Sequence, residues 1–158
     1  MTTAAPSKPF AEREVTITRV FDAPRALVFA AWTDAKHLAQ WWGPKDFTNP
    51  VCTIDPRVGG ALRIHMRAPD GNIYPMKGEI REIAPPERLV FTNIALDADD
   101  DVIIDGFTTV TFAEENGKTR LTIHTRGSAM VDYAANYLKG MEIGWTQSLD
   151  KLQAYLAC

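Results

Sequence analysis

Cysteine and histidine are scarce in this chain. The two cysteines, Cys52 and Cys158, stand too far apart for a metal-binding pair and are too few for a disulfide framework. The three histidines, His37, His65 and His124, share no ligand spacing with each other or with a cysteine, so no metal or other cofactor is expected. Basic clusters are also missing. A net charge of −3 with no Lys/Arg run argues against nucleic acid as a partner. No apolar run is long enough to span a membrane. The first residues, Met1 to Lys8, lack the apolar centre of a signal peptide, so the cytoplasm is the default location. No phosphate loop, dinucleotide fingerprint or nucleophile elbow occurs, and no nucleophile–base pair stands out, so no catalytic residue is assigned.

What is present is one domain's worth of ordinary globular sequence, 158 residues with 46% apolar and 23% charged content. Met1–Glu12 reads as a disordered tail and residues 13–158 as a single domain. The chain is organised around its last stretch, Met130 to Leu156. Ala134, Leu138, Met141, Trp145, Leu149, Leu152 and Leu156 recur at steps of three and four, one face of a continuous helix. Gly140 and Gly144 lie four apart on it. Each costs about 1 kcal/mol against alanine in a helix, which suggests close backbone approach or space left empty beside the helix.

The preceding chain reads as strands. Glu14–Phe21 alternates apolar and polar residues. Asp22 with Pro24 reads as the start of a short helix over Arg25–Trp32. Thr33 or Asp34 caps a second helix, which Gly43-Pro44 ends. Strands are then expected over Val51–Ile54, Ala61–Arg67, Ile73–Ile83, Arg88–Leu96, Val102–Phe112 and Lys118–Arg126. Pro75 and Gly78 should kink the third of these, and Asn116-Gly117 should form a type I′ turn. Strands joined by tight turns make an antiparallel meander. Its apolar face needs a partner, and the final helix is the only large one. The expected fold is therefore α+β, a curved antiparallel sheet of six to seven strands wrapped on a long C-terminal helix, with a cleft between them.

Particular residues carry a resemblance. Phe21-Asp22-Ala23-Pro24 with Val28, Phe29 and Trp32, then Leu38-Ala39-Gln40-Trp41-Trp42-Gly43-Pro44, are followed by Gly59-Gly60, Pro69-Asp70-Gly71 and Gly78-Glu79. Pro85-Pro86-Glu87-Arg88-Leu89-Val90-Phe91 and Gly140-Met141-Glu142-Ile143-Gly144-Trp145, with Leu149 and Leu152, complete the pattern. Taken together, from about Val15 to Leu156, they resemble bacterial proteins related to the activator of the heat-shock-protein-90 ATPase. These lie within the START, polyketide cyclase and birch-pollen-allergen superfamily. The resemblance implies the helix-grip fold. It leaves function open, because that superfamily hosts carriers, receptors, cyclases and co-chaperones.

The leading expectation is binding of an apolar small molecule in the cleft, lined by Met66, Tyr74, Phe91, Tyr137, Met141 and Trp145. Glu142 would be its polar contact, and Trp32, Trp41 and Trp42 its mouth. The same residues also suit plain core packing. A second reading, implied by the resemblance alone, is a co-chaperone-like module in stress response with a heat-shock chaperone as partner. A third is a cyclase- or hydrolase-type enzyme using Glu142 or His65. By alternation His65 and His124 point to solvent, and His37 is solvated on its short helix. Asp97, Asp99 and Asp101 have the first, third and fifth positions of a calcium loop, but Val102 and Thr108 break the rest, leaving a solvated loop. Asp105 sits mid-strand, where either burial or an edge position would suit it. A homodimer is compatible with the sequence, though no feature requires it.

Overall fold

The computed structural model describes residues 9–157. Seven strands form one antiparallel sheet: β1 (Ala11–Phe21), β2 (Thr48–Ile54), β3 (Ala61–Arg67), β4 (Ile73–Ala84), β5 (Arg88–Leu96), β6 (Val102–Glu115) and β7 (Lys118–Ala129). Their order is β1-β7-β6-β5-β4-β3-β2, so all neighbours after β1 are consecutive in sequence. That is the meander expected from the tight turns. The first strand closes the order by pairing with the last, Ala11 opposite Ala129 through Phe21 opposite Thr119. Ala11 and Glu12 thus belong to the sheet. The Phe10 amide also donates to the Ala129 carbonyl at 2.8 Å, and residues 1–8 of the expected tail lie outside the described residues.

Two helices follow β1. Helix α1 (Arg25–Thr33) starts behind Pro24, whose extended backbone makes it the cap residue, and Asp22 makes no capping bond. Proline's fixed φ and missing N–H suit the entry to a first turn, so the acid is not needed there. Helix α2 (Ala35–Trp41) is capped by Asp34, whose side chain accepts from the Lys36 amide at 2.9 Å. The Asn116-Gly117 turn has positive φ at both residues, 53° and 82°, as a type I′ turn requires.

Two expectations are corrected. The terminal helix is not continuous from Met130. Strand β7 runs on to Ala129, a 3-10 turn covers Asp132–Ala134, and the helix is split into α3 (Ala135–Lys139) and α4 (Met141–Leu156) at Gly140. Arg13 on β1 stabilises the break. Its Nη1 donates to the carbonyls of Leu138 (2.9 Å) and Lys139 (2.8 Å) at the end of α3. Likewise, Pro75 and Gly78 do not break the β3–β4 register, which is unbroken from Ala61 opposite Glu79 to Arg67 opposite Ile73. The irregularity falls later, between Ile80 and Glu82 against β5.

The helices cover one face of the sheet. The main core gathers Phe21, Phe29, Trp32, Leu38, Trp41, Phe91, Phe112, Leu121, Leu149 and Leu152. A smaller cluster, Ile103, Ala129, Ala134 and Leu138, sits under α3. Met141 packs against both.

Candidate functional site

Between the two clusters the sheet and helices do not meet. They leave a cavity of about 450 Å³, within the range of small-molecule sites. Its cause is a taper in side-chain size along the sheet's inner face. Successive rows in register read Leu89, Val110 and Ile123, then Phe91, Thr108 and Thr125, then Asn93, Gly106 and Gly127. The first two rows are filled, and the third is almost bare. Gly127 lets Leu138 approach to where a Cβ would stand 2.9 Å from it.

The helix side matches this taper. Met141, Gly144, Trp145 and Ser148 form a stripe at helical spacing that borders the cavity, and Leu149 and Leu152 continue into the closed core. A Cβ at Gly140 or Gly144 would meet nothing closer than 3.8 Å. Of the two reasons offered for these glycines, empty space is the one the structure supports. Ser148 donates to the Gly144 carbonyl at 3.0 Å, so its hydroxyl is spent within the helix.

The third wall is the loop after α2: Trp42, Gly43, Pro44 and Phe47. Gly43 has φ +96°, and a Cβ there would reach Met66 Sδ at 3.0 Å. Lys151 on α4 holds this loop. Its Nζ donates to the carbonyls of Trp42, Gly43, Pro44 and Phe47 at 3.2–3.3 Å. Burial pushes the Lys151 pKa below its ordinary value, with Asp46 acting in the opposite direction. Nothing in the sequence marked Lys151 as different from any other lysine on a helix's polar side.

Of the residues expected at the cleft, Met66, Tyr74, Tyr137, Met141 and Trp145 border the cavity. Phe91 does not. It lies in the main core, 2% exposed, against Trp32 and Trp42. Glu142 is also displaced from its expected place: its side chain is 60% exposed and pairs with Arg13 at 3.2 Å, because α4 turns it to the side of the helix away from the cavity. The three tryptophans divide. Trp32 and Trp41 are buried at the centre of the aromatic cluster, 4.6 Å apart, and Trp41 Nε1 donates to the Ala31 carbonyl. Only Trp42 borders the cavity. The expected Tyr74 and Tyr137 stand there in an aromatic row with two residues the sequence did not single out, Phe47 6.1 Å from Tyr74, Tyr74 6.4 Å from Tyr137, and Tyr133 at the end. Tyr137 is 46% exposed, which places it at the opening.

The polar candidates lie elsewhere. His65 accepts from Arg63 Nε, and exposed His124 faces Glu14 at 3.1 Å. His37 is not simply solvated. It is half-buried and bonded to the Tyr155 hydroxyl at 2.6 Å. Asp97 accepts from the amides of Asp99 and Asp101 within its own loop, and Asp105 is exposed. Among the described residues no group of acids, histidines and cysteines could hold a metal. Cys52 packs against the main core, and burial pushes its thiol up to about 11. Asn93 was missed. Its signal, a lone amide in an apolar strand, is visible only once the row of small residues is known to share its face.

The comparisons agree with this architecture. The family model described as "Activator of Hsp90 ATPase homolog 1-like protein" matches residues 22–157. A solved protein from Chromobacterium violaceum is 30% identical with a TM-score of 0.77, covering 89% of this chain and 94% of its own. The AHSA1 protein from Silicibacter pomeroyi is 28% identical with a TM-score of 0.77, covering 92% and 98%. A protein from Mycobacterium smegmatis is 27% identical with a TM-score of 0.75, covering 90% of each chain. No curated protein matches. No helix among the described residues is long and apolar enough to cross a membrane.

Proposed function

This chain belongs to the family of Activator of Hsp90 ATPase homolog 1-like proteins, with the helix-grip fold, and from that premise we propose that it binds an apolar small molecule between sheet and helix. The observation that carries this reading is the cavity of about 450 Å³, beside which Gly140 and Gly144 leave open space. A core under no demand for a cavity gains by filling such space, since unfilled volume costs about 24 cal/mol per Å³. The walls are apolar, and Met66, Met76 and Met141 supply adaptable surface. Aromatic Tyr74 and Tyr137 at the opening offer hydroxyls to an arriving ligand.

Native mass spectrometry of gently purified protein, set against its denatured mass, tests the reading. Extra mass that is lost on denaturation supports it and begins to identify the ligand. A bare mass, together with tryptophan fluorescence that no apolar probe alters, overturns it. Trp42 and Trp145 both border the cavity and would report occupancy. The same spectrum reads out monomer or dimer.

A second reading, partnership with a heat-shock chaperone, is favoured by the family's description alone. A pull-down with the cell's own chaperone tests it, and absence of a complex would count against it.

A further inference from the structure

On the sheet side, the cavity's largely apolar wall carries one amide, besides the Tyr74 hydroxyl and Arg126. Asn93 of β5 borders the cavity, opposite Gly106 of β6, which in turn pairs with Gly127 of β7. Behind Asn93 stand two buried threonines. Thr108 Oγ1 bonds the Asn93 Oδ1 at 2.8 Å and Thr125 Oγ1 at 2.8 Å. Thr108 is 0% and Thr125 1% exposed, so each hydroxyl proton needs a protein acceptor.

That need sets the direction of the chain of bonds. If Thr125 donates to Thr108 and Thr108 donates to Asn93 Oδ1, every hydroxyl proton is satisfied. Run the other way, with the amide donating to Thr108 and Thr108 to Thr125, the last proton is left without an acceptor among the described residues. A buried unsatisfied donor costs about 1–3 kcal/mol, enough to exclude the reverse order. The carboxamide oxygen is therefore spoken for, and the Nδ2 group is the free end. It has no partner among the described residues. It lies over Gly106, where a Cβ would stand 2.7 Å from Nδ2 and 2.4 Å from the Asn93 carbonyl oxygen, so glycine is what allows the amide its place.

Charge narrows the ligand. Among the described residues the only charged one bordering the cavity is Arg126, which stands on the exposed alternation of β7. An ionised group held at Asn93 would lie in an apolar site without a buried counter-charge, which is strongly unfavourable. A neutral oxygen acceptor meets no such cost.

We propose that Asn93 is the polar anchor of the cleft, and that the occupant is an uncharged, otherwise apolar molecule with a carbonyl oxygen that accepts from the Asn93 Nδ2–H. Thr108 and Thr125 are positioning residues for that amide. The proposal rests on the cleft reading above.

Three probes of nearly one shape test it: 2-acetylnaphthalene, its hydrocarbon isostere 2-isopropenylnaphthalene, and 2-naphthoic acid. Binding is followed by tryptophan fluorescence, and the Asn93 side-chain amide by NMR in the wild-type protein. The expected result is that the ketone binds about tenfold more tightly than the isostere, the scale of one net hydrogen bond. The Asn93 amide signal should shift with the ketone alone. In Asn93→Leu, of similar shape and with no charge, the donor is lost, so the preference should vanish. In Thr108→Val, which tolerates the change in shape well, the amide is free to turn and the preference should shrink.

Equal binding of ketone and isostere by the wild type overturns the anchor, as does a preference that survives Asn93→Leu or tighter binding of the naphthoate. Gly144→Leu separates this failure from failure of the cleft itself. Its side chain fills the cavity, so loss of all probe binding in that variant keeps the cleft while the anchor falls. Binding indifferent to Gly144→Leu, or no binding of any probe to the wild type, overturns both.

Discussion

The interface between helix and sheet has two halves of opposite character. Toward the C-terminal end of α4, Leu149 and Leu152 are fully buried in one cluster with Trp32, Trp41, Phe91 and Phe112. Toward its N-terminal end, Met141, Gly144, Asn93 and Gly127 border a cavity. One helix and one sheet make both halves, and Trp145 marks the border, stacked 6.0 Å from Trp32 and edge-on to Trp42 at 5.2 Å. The closed half supplies the stability that lets the open half remain underpacked. Stability and binding capacity are therefore carried by different residues and should respond to different substitutions.

The largest test of that division is in the closed half. Trp41→Ala should destabilise the protein by about 3–5 kcal/mol, as large aromatic truncations in a tight core do. Met66→Ala on the cavity wall, where neighbours are already sparse, should cost about 1 kcal/mol or less. Urea denaturation measures both, and equal losses would mean the halves are not distinct. Next is Lys151→Met, which leaves four carbonyls of the Trp42–Phe47 loop without their shared donor. We expect a loss of about 2 kcal/mol, with faster amide hydrogen exchange in that loop.

Gly144→Ala should have the opposite sign. A methyl group there meets only Pro44 Cγ at 3.8 Å, so the helix gains up to about 1 kcal/mol while the cavity shrinks. A destabilised Gly144→Ala would show that the space beside α4 is not free. The smallest effect concerns Cys52 at the edge of the closed half. With its pKa pushed up to about 11 from an ordinary 9.0, its thiolate population at pH 8 should be about 100-fold below that of the unfolded chain. Alkylation of the native Cys158→Ser protein should slow accordingly. The sign for stability follows: a raised thiol pKa contributes stability that is present below pH 9 and is lost as pH rises through 11.

Much of the fold was legible before any coordinates. Alternation and turn residues together marked all seven strands, the Asn116-Gly117 pair marked its hairpin, and the stripe Leu138–Trp145–Leu152 marked the face the helix turns inward. The strand ends were less legible. Strand β7 passes through Gly127 to Ala129, because pairing with β1 on one side and β6 on the other outweighs glycine's weak strand preference. The helix break at Gly140 was hidden for a similar reason. The apolar spacing continues through it, and what stabilises the interruption is Arg13, more than a hundred residues away. Glu142 and Phe91 were misplaced for want of rotation and depth. A helical stripe says which residues share a side, but not which neighbour on the stripe's flank turns outward, nor how far along the sheet the space closes.

By itself, then, the sequence determined the element order, the antiparallel meander, the inward face of the final helix and the residue types available to line a cleft. Those properties depend on local periodicity and turn chemistry, which neighbouring residues along the chain suffice to set. The tertiary structure alone decided where the core closes, that Lys151 gathers the loop after α2, and that Asn93, Thr108 and Thr125 form one directed line of hydrogen bonds. Each of these depends on register between strands and on the seating of the helix. Register brings Asn93, Gly106 and Gly127 into one row, and only packing in three dimensions leaves Asn93 bordering a cavity.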